Sequence, residues 1–438
     1  MNRKYILWGV FLLNLAIIIF FWQLGSREII LTEPLIAFGR LSGLLAVLLI
    51  LIQLILISRF DYLEKAVSLD KLLVIHGLNG FLSFFLIILH PILLIIGYGK
   101  RTNNAFFQQL QSFVLYWDEV GMAVLGTIVF IAATIISLNL IKNKIKYEFW
   151  YLSHLFLYLA ILWAYGHQLE VGHSLQNTIF AIYWYVIYFI VIAILVWYRF
   201  LRPVWRFKKH LFRVAEIKRE NDSVRSVYIK GQNMENYKIA AGQFFLLRFI
   251  NRRAWYEEHP FSLSGQIRDN TLQFTIKALG DFSSKLEEKV KVGDPVILDG
   301  PHGSFVSAKI KRDKVLMIAG GIGITPIKAM IEELGQQAKD IILICANKSL
   351  KEIVFKEELA ALTQLNPRLK IFHILSQEKI DGYDYGRLDL EKITKFSPDL
   401  TERDIFICGP EMMTKSIIKI LKTLKIKKSQ IYWEKFSW

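Results

Sequence analysis

Six stretches of about 20 or more mostly apolar residues fall before residue 201 of this 438-residue chain, at roughly 5–24, 34–58, 72–98, 119–141, 149–169 and 177–200. Twenty residues of helix rise about 30 Å, the thickness of a bilayer's hydrocarbon core. A backbone in lipid must satisfy its own hydrogen bonds, so each stretch is expected to be helical. No comparable stretch follows residue 201. The 53% hydrophobic content excludes an ordinary soluble enzyme, and its placement predicts a membrane-embedded half followed by a water-exposed half. The first stretch has no small-residue cleavage site and is expected as a retained helix rather than a signal peptide.

Four histidines interrupt these spans. His76 and His90 lie 14 residues apart, and His154 and His167 lie 13 apart. An imidazole in a span is costly and points to function. Fourteen residues cover about 21 Å of helix, so each helix carries one histidine near each side of the bilayer. Two such helices side by side give two stacked pairs, each able to hold a haem iron from both faces. Fourteen steps return His90 to within about 40° of His76 on one helix face. Thirteen leave His167 about 140° from His154, a mismatch that a bulge or local unwinding beside Gly166 could absorb. His173 competes as a ligand, but its EVGHS context reads as loop. The plainer alternative is four histidines bonding helix carbonyls or lining a polar cavity.

With the N-terminus inside, the inner connections hold Arg59, Lys65, Lys71, Lys142, Lys144, Lys146, Arg199, Arg202, Arg206, Lys208 and Lys209, whereas the outer ones hold Arg27, Lys100 and Arg101. That asymmetry places both ends and the second half in the cytoplasm. The net charge of +16 clusters at membrane edges, which favours topology and anionic lipid headgroups over nucleic acid. Cys345 and Cys408 are the only cysteines, so no disulfide is expected; without a CxxCH motif, any haem would be b-type.

Beyond residue 210, LFRVAEIKRE, SVRSVYIKG, GQFFLLRFI, HPFSLSG, LQFTIKAL and DPVILDG read as strands of a small antiparallel β-barrel. From about 313, KVLMIAGG, IILICAN, KIFHILS and DIFICGP alternate with helical segments, which predicts an α/β domain with a parallel sheet. The turn AGGIGITP (Gly320, Gly321, Gly323, Thr325, Pro326) follows a strand and opens a helix. Its glycines would let the backbone approach a pyrophosphate, and the helix N-terminus favours that charge. HPFS (His259, Pro260, Phe261, Ser262), KALGDFS (Lys277, Gly280, Asp281, Phe282, Ser283) and CGP (Cys408, Gly409, Pro410) keep it company, and the chain closes with WEKFSW.

This set resembles the ferredoxin-NADP reductase module, and the histidine helices resemble the ferric reductase transmembrane domain of NADPH oxidases and ferric reductases. The likeness covers nearly the whole chain and is closest to bacterial NADPH oxidase-like members. It implies a multi-domain membrane protein: a six-helix transmembrane bundle with two b haems (1–205), an antiparallel β-barrel FAD domain (206–308) and an α/β parallel-sheet NAD(P)H domain (309–438). It further implies a six-pass protein of the bacterial inner membrane. His76, His90, His154 and His167 match the bis-haem ligands, with His76 and His154 holding one haem and His90 and His167 the other. HPFS and GDFS match the flavin segments, and GGIGITP the nicotinamide-nucleotide pyrophosphate loop. CGP matches the segment beside the nicotinamide. Phe436 matches the aromatic that stacks on the flavin, with Trp438 as a rival.

Asn347 and Lys348 follow the second strand of the α/β domain, where an adenine ribose would lie. Lys348 could pair with a 2′-phosphate, which leans toward NADPH and leaves NADH open. Arg40 lies about 9 Å into its span, near the level of His90 and His167. It could neutralise a haem propionate, attract an anionic product or snorkel to headgroups. The resemblance implies electron flow from NADPH through FAD and two haems to O2, giving superoxide. A ferric-chelate or quinone reductase using the same wiring, or a haem-binding sensor without turnover, remains an alternative. No obligate protein partner is expected.

Overall fold

The computed structural model describes residues 3–67, 69–138, 141, 144, 145, 147–235, 237–335 and 339–435. It divides into two compact units, Met1–Phe200 and Leu201–Trp438.

The first unit is helical. Its elements are α1 (Arg3–Ser26), α2 (Pro34–Ile57), α3 (Leu69–Thr102), α4 (Phe106–Tyr116), α5 (Val120–Ile136), α6 (Tyr147–Trp163), α7 (Tyr165–Glu170) and α8 (Thr178–Val196). Five described helices are long and apolar enough to cross a membrane, or up to six if α4 and α5 are counted as one span, bent by 117° at their junction. The expected fourth span is therefore the 17-residue α5, with α4 lying across it. Glycines set the closest approach in the bundle. A Cβ on Gly39 of α2 would stand 2.7 Å from a Leu94 methyl on α3, and one on Gly97 of α3 2.7 Å from Ile36. Small residues let backbones meet in this way where lipid offers helices no hydrophobic reason to associate. The Asn177 side chain caps α8, accepting from the amides of Ile179 and Phe180.

The second unit begins with α9 (Arg202–His210) and continues into β1 (Arg213–Arg219), β2 (Val224–Lys230), β3 (Phe244–Phe249), β4 (His259–Ser262), β5 (Thr271–Lys277) and β6 (Val296–His302). All six expected antiparallel segments form strands. They hydrogen-bond as two three-stranded sheets, β1-β2-β5 and β4-β3-β6, rather than as one continuous barrel. Isolated bridges, Arg213 to Pro295 and Leu263 to Phe274, join the sheets around one core that holds Phe245, Phe249 and Phe274.

A six-stranded parallel sheet follows, in the order β10-β9-β8-β7-β11-β12. Its strands are β7 (Lys314–Gly320), β8 (Asp340–Asn347), β9 (Leu369–Leu375), β10 (Asp384–Tyr385), β11 (Arg403–Gly409) and β12 (Ile431–Lys435). Helices α10 (Ile324–Leu334), α11 (Lys356–Leu365) and α12 (Glu411–Thr423) cover it. Alternate residues of β7 serve opposite faces: Val315, Met317 and Ala319 share a core with α10, and Leu316 and Ile318 share one with α12. Burial on both faces explains why these strands read as continuous apolar runs.

Candidate functional site

In the helical unit, α3 carries both His76 and His90. The partner span runs from Phe149 to Glu170 with an irregular turn inside it. His154 stands on α6 and His167 on α7, with Ala164 between them at φ −79° and ψ −5°. The angular mismatch is absorbed two residues ahead of Gly166, the expected position. The result is two facing pairs. The rings of His76 and His154 have centroids 6.2 Å apart, and those of His90 and His167 6.3 Å. A metal–imidazole bond is about 2.0–2.1 Å, and a ring nitrogen lies about 1.2 Å from its centroid, so two imidazoles flanking one metal ion stand roughly 6.4 Å apart. The pairs therefore fit an iron held from both faces. His173 lies apart from them, in a short turn beside Gly25.

Second partners orient two of the rings. Nδ1 of His90 is 2.8 Å from the Gly39 carbonyl, which can only accept, so that nitrogen carries the hydrogen and Nε2 keeps its lone pair. The Ser137 hydroxyl donates to the Ala133 carbonyl and stands 3.0 Å from Nδ1 of His154, giving the same polarity there. Gly43 leaves room for the His90 ring, since a Cβ would stand 2.6 Å from its Nδ1. Nδ1 of His76 is buried without a hydrogen-bond partner among the described residues, and His167 faces the Ala164 backbone. Arg40, next to the Gly39 carbonyl, donates from Nη2 to the Tyr98 hydroxyl at 3.3 Å.

Sequence reasoning missed a polar knot beside His76. The Gln53 amide donates to the His76 carbonyl at 2.9 Å, and Asn79 donates to Gln53 and to the Leu49 carbonyl at 2.6 and 2.8 Å. Two amide side chains inside apolar spans were the signal available.

In the second unit, the HPFS and GDFS segments meet. His259 stacks on Phe282, with centroids 4.0 Å apart and planes at 23°. Its Nε2 is 3.0 Å from Glu257, which Lys289 also holds at 2.5 Å. Burial pushes the His259 imidazole below its ordinary pKa, against the opposing pull of Glu257. Burial also works against the Glu257 carboxylate, but hydrogen bonds from Lys289 and His259 outweigh it and hold its pKa down. Pro260 and Phe261 pair with Leu246 and Phe245 on β3, and Ser262 is buried opposite Phe244. Gly280 precedes the single helical turn Asp281–Ser284, and the Ser283 hydroxyl accepts from the Gly280 amide at 3.0 Å. Lys277 is engaged by Glu352 at 2.8 Å.

The glycine turn and the CGP segment also meet, because β7 and β11 are neighbours. Gly321 has φ +52°, in the left-handed region. A Cβ on Gly323 would stand 2.2 Å from the Cys408 carbonyl, and one on Gly320 2.8 Å from Pro410. The Thr325 hydroxyl donates to the Ile322 carbonyl at 3.0 Å, and Pro326 is buried in the first turn of α10; both shape the loop. Parallel sheets bind ligands outside the carboxyl ends of such strands. A cleft there is lined by Ala319, Gly321, Ile324, Cys345 and Asn347, while Lys348 is exposed beside it. The Cys408 thiol is fully buried, and burial, with Glu434 adding, raises its pKa well above the ordinary value; it stands as a neutral thiol. Glu434 pairs in register with Cys408 from β12, a neighbour not foreseen from the sequence. Phe436 and Trp438 lie outside the described residues.

Comparisons with known proteins follow the same division. Residues 42–165 match the ferric reductase like transmembrane component, residues 207–318 an FAD-binding domain and residues 317–419 the oxidoreductase NAD-binding domain. The glycine betaine monooxygenase reductase subunit of Chromohalobacter salexigens is 26% identical over 54% of this chain and 68% of its own length. The NADPH oxidoreductase of Mycobacterium tuberculosis is 29% identical over 48% of this chain and 55% of its own length. A flavohemoprotein of Candida norvegensis is 29% identical over 45% of this chain, which spans half of that relative. Among solved structures, the FAD/NAD-binding domain of nitric oxide dioxygenase from Vibrio cholerae has 25% identity and a TM-score of 0.47, over 51% of this chain and 97% of that one.

Proposed function

For this NAD(P)H oxidoreductase, which joins a ferric reductase transmembrane domain to FAD-binding and NAD-binding domains in the architecture of the NADPH oxidase and ferric reductase flavocytochromes, we propose electron transfer from cytoplasmic NADPH to O2 across the membrane, giving superoxide. The observation that carries the reading is the pair of facing imidazole couples at two levels of α3, each at the separation that bis-imidazole ligation requires. His76 and His154 would hold one haem b, and His90 and His167 the other. FAD supplies the conversion of a two-electron donor into single electrons, and the haems carry those electrons through the apolar core.

The chain's own residues do the rest. The glycine turn before α10 would hold the dinucleotide pyrophosphate, and Gly323 and Gly409 let that turn and the end of β11 pack backbone against backbone. Cys408, as a neutral thiol, excludes water there without adding charge. His259, stacked on Phe282, and the Gly280–Ser283 turn would hold the flavin and its phosphates. Gly39 and Ser137 hold Nδ1 of His90 and His154, leaving each Nε2 as the nitrogen that would ligate a metal. With two histidines as its ligands, a haem held here would supply electron transfer rather than oxygen binding. Arg40 favours release of an anion at that level, which supports oxygen over a cationic acceptor.

The deciding experiment is NADPH-driven cytochrome c reduction by the detergent-purified, FAD-supplemented protein. Suppression by superoxide dismutase is expected. A rate indifferent to dismutase would assign direct reduction of an acceptor such as a ferric chelate or quinone.

A further inference from the structure

One charged side chain of the reductase unit is enclosed and takes no part in the sites above. Lys328, on α10, is 1% exposed. Its Nζ lies 2.7 Å from Glu332 one turn along the same helix and 2.7 Å from Glu358 on α11. It donates to the Ser264 carbonyl at 3.2 Å, and the Phe355 ring centre is 4.8 Å away. The second oxygen of Glu332 accepts from the Gln266 amide at 2.7 Å.

These partners come from three places. Ser264 and Gln266 follow β4, which carries HPFS. Helix α10 opens from the glycine turn. Phe355 and Glu358 lead into α11 from the side of the cleft that Ile353 and Val354 line. Gly265 brings its backbone within reach, since a Cβ there would already stand 3.5 Å from Nζ.

An ammonium has three hydrogens and no lone pair, and here three oxygens meet it. A buried charge is tolerated only while it stays paired and hydrogen-bonded. Sliding any one of the three segments would leave the buried ammonium short of an acceptor, whereas an apolar contact at the same place would tolerate the slide. Hydride transfer needs its reacting atoms within about 3–3.5 Å.

We infer that Lys328 is a positioning residue that locks the flavin strand to the pyrophosphate helix and so sets the separation of flavin and nicotinamide. The inference rests on reading these motifs as the FAD and NADPH sites.

The test uses the full-length, cofactor-loaded protein. Lys328→Met combined with Glu332→Gln and Glu358→Gln removes the charge without stranding carboxylates. Lys328→Arg retains the charge. Glu358→Gln alone, at a side chain 35% exposed, is mild enough to keep the fold if the triple variant does not. Three quantities are read: NADP+ affinity by calorimetry, the long-wavelength charge-transfer absorbance between NADP+ and reduced flavin, and the limiting rate of flavin reduction by NADPH. Affinity should hold within about twofold, because the nucleotide contacts lie within one sheet and its loops. The charge-transfer band should fade, and the limiting rate should fall by about 10- to 100-fold in the triple variant. Lys328→Arg should recover part of both, and Glu358→Gln should lose several-fold in rate. An unchanged band and rate overturn the inference. So does a lower FAD content with an unchanged rate per bound flavin, which would make Lys328 a stability residue only. A wild-type protein that neither binds NADP+ nor reduces flavin would overturn the functional reading, and the inference with it, before any variant is made.

Discussion

At Gly43 the place of a side chain is already taken by the ring of His90. Gly43→Ala should therefore push that ring off the Gly39 carbonyl and, on the proposed ligation, lower the haem content from two per chain toward one, by pyridine haemochrome assay. The His76 and His154 pair should keep its spectrum. His259 makes a different prediction. Burial sets its folded pKa below the ordinary 6.5, so between those two values the unfolded chain binds a proton that the folded chain refuses. Stability then rises with pH through that window and levels off above 6.5. Glu257 acts in the same direction at lower pH, its contribution complete above 4.5 and lost as the pH falls through its depressed folded value. The thermal midpoint should drop on acidification below 6.5, and His259→Gln should drop less across the upper part of the window. Parallel profiles would remove His259 as the cause. The four histidines were legible in the sequence because imidazole is out of place in a span. Lys328 was not, because nothing in TPIKAMIEEL marks that lysine as the one its own helix buries.

The turn before α10 and the end of β11 fit together only as bare backbone. Gly323→Ala would drive a methyl into the Cys408 carbonyl and disturb the turn proposed to hold the pyrophosphate. About a tenfold higher KM for NADPH is expected, the scale of one lost charge-assisted hydrogen bond, and steady-state kinetics would read it. An unchanged KM would place the pyrophosphate elsewhere. Strands β1–β6 were legible from alternation, but alternation does not say whether a sheet closes, and here the edges pair as two sheets joined by bridges. The irregular turn between α6 and α7 was legible in the 13-residue spacing of His154 and His167, but its place was not: it falls at Ala164, a good helix former, two residues ahead of Gly166. Strand β12 was passed over because IYWEK, at the very end of the chain, has no turn residues after it to frame it. The bend between α4 and α5 was hidden for a related reason: both sides are apolar, and hydropathy carries no direction.

For the molecule as a whole, the proposed path runs one way through separable parts. Protein stripped of FAD should no longer pass electrons from NADPH to haem, while dithionite still reduces both haems. Retention of NADPH-driven haem reduction would mean a route that bypasses the flavin motifs. The modular order was readable from the position of each motif along the chain, and three separate family matches follow it. The two histidine levels on α3 have a bioelectric consequence. They are about 21 Å apart along the helix, most of a hydrocarbon core roughly 30 Å thick. An electron stepping outward between them would move a full negative charge through about 0.7 of the membrane field, roughly 1.6 kcal/mol for each 100 mV. A cell that is negative inside would push that electron along, and every turnover would discharge the cell a little. On this wiring the protein is a current source, and its output is limited by how fast the cell returns positive charge to the outside.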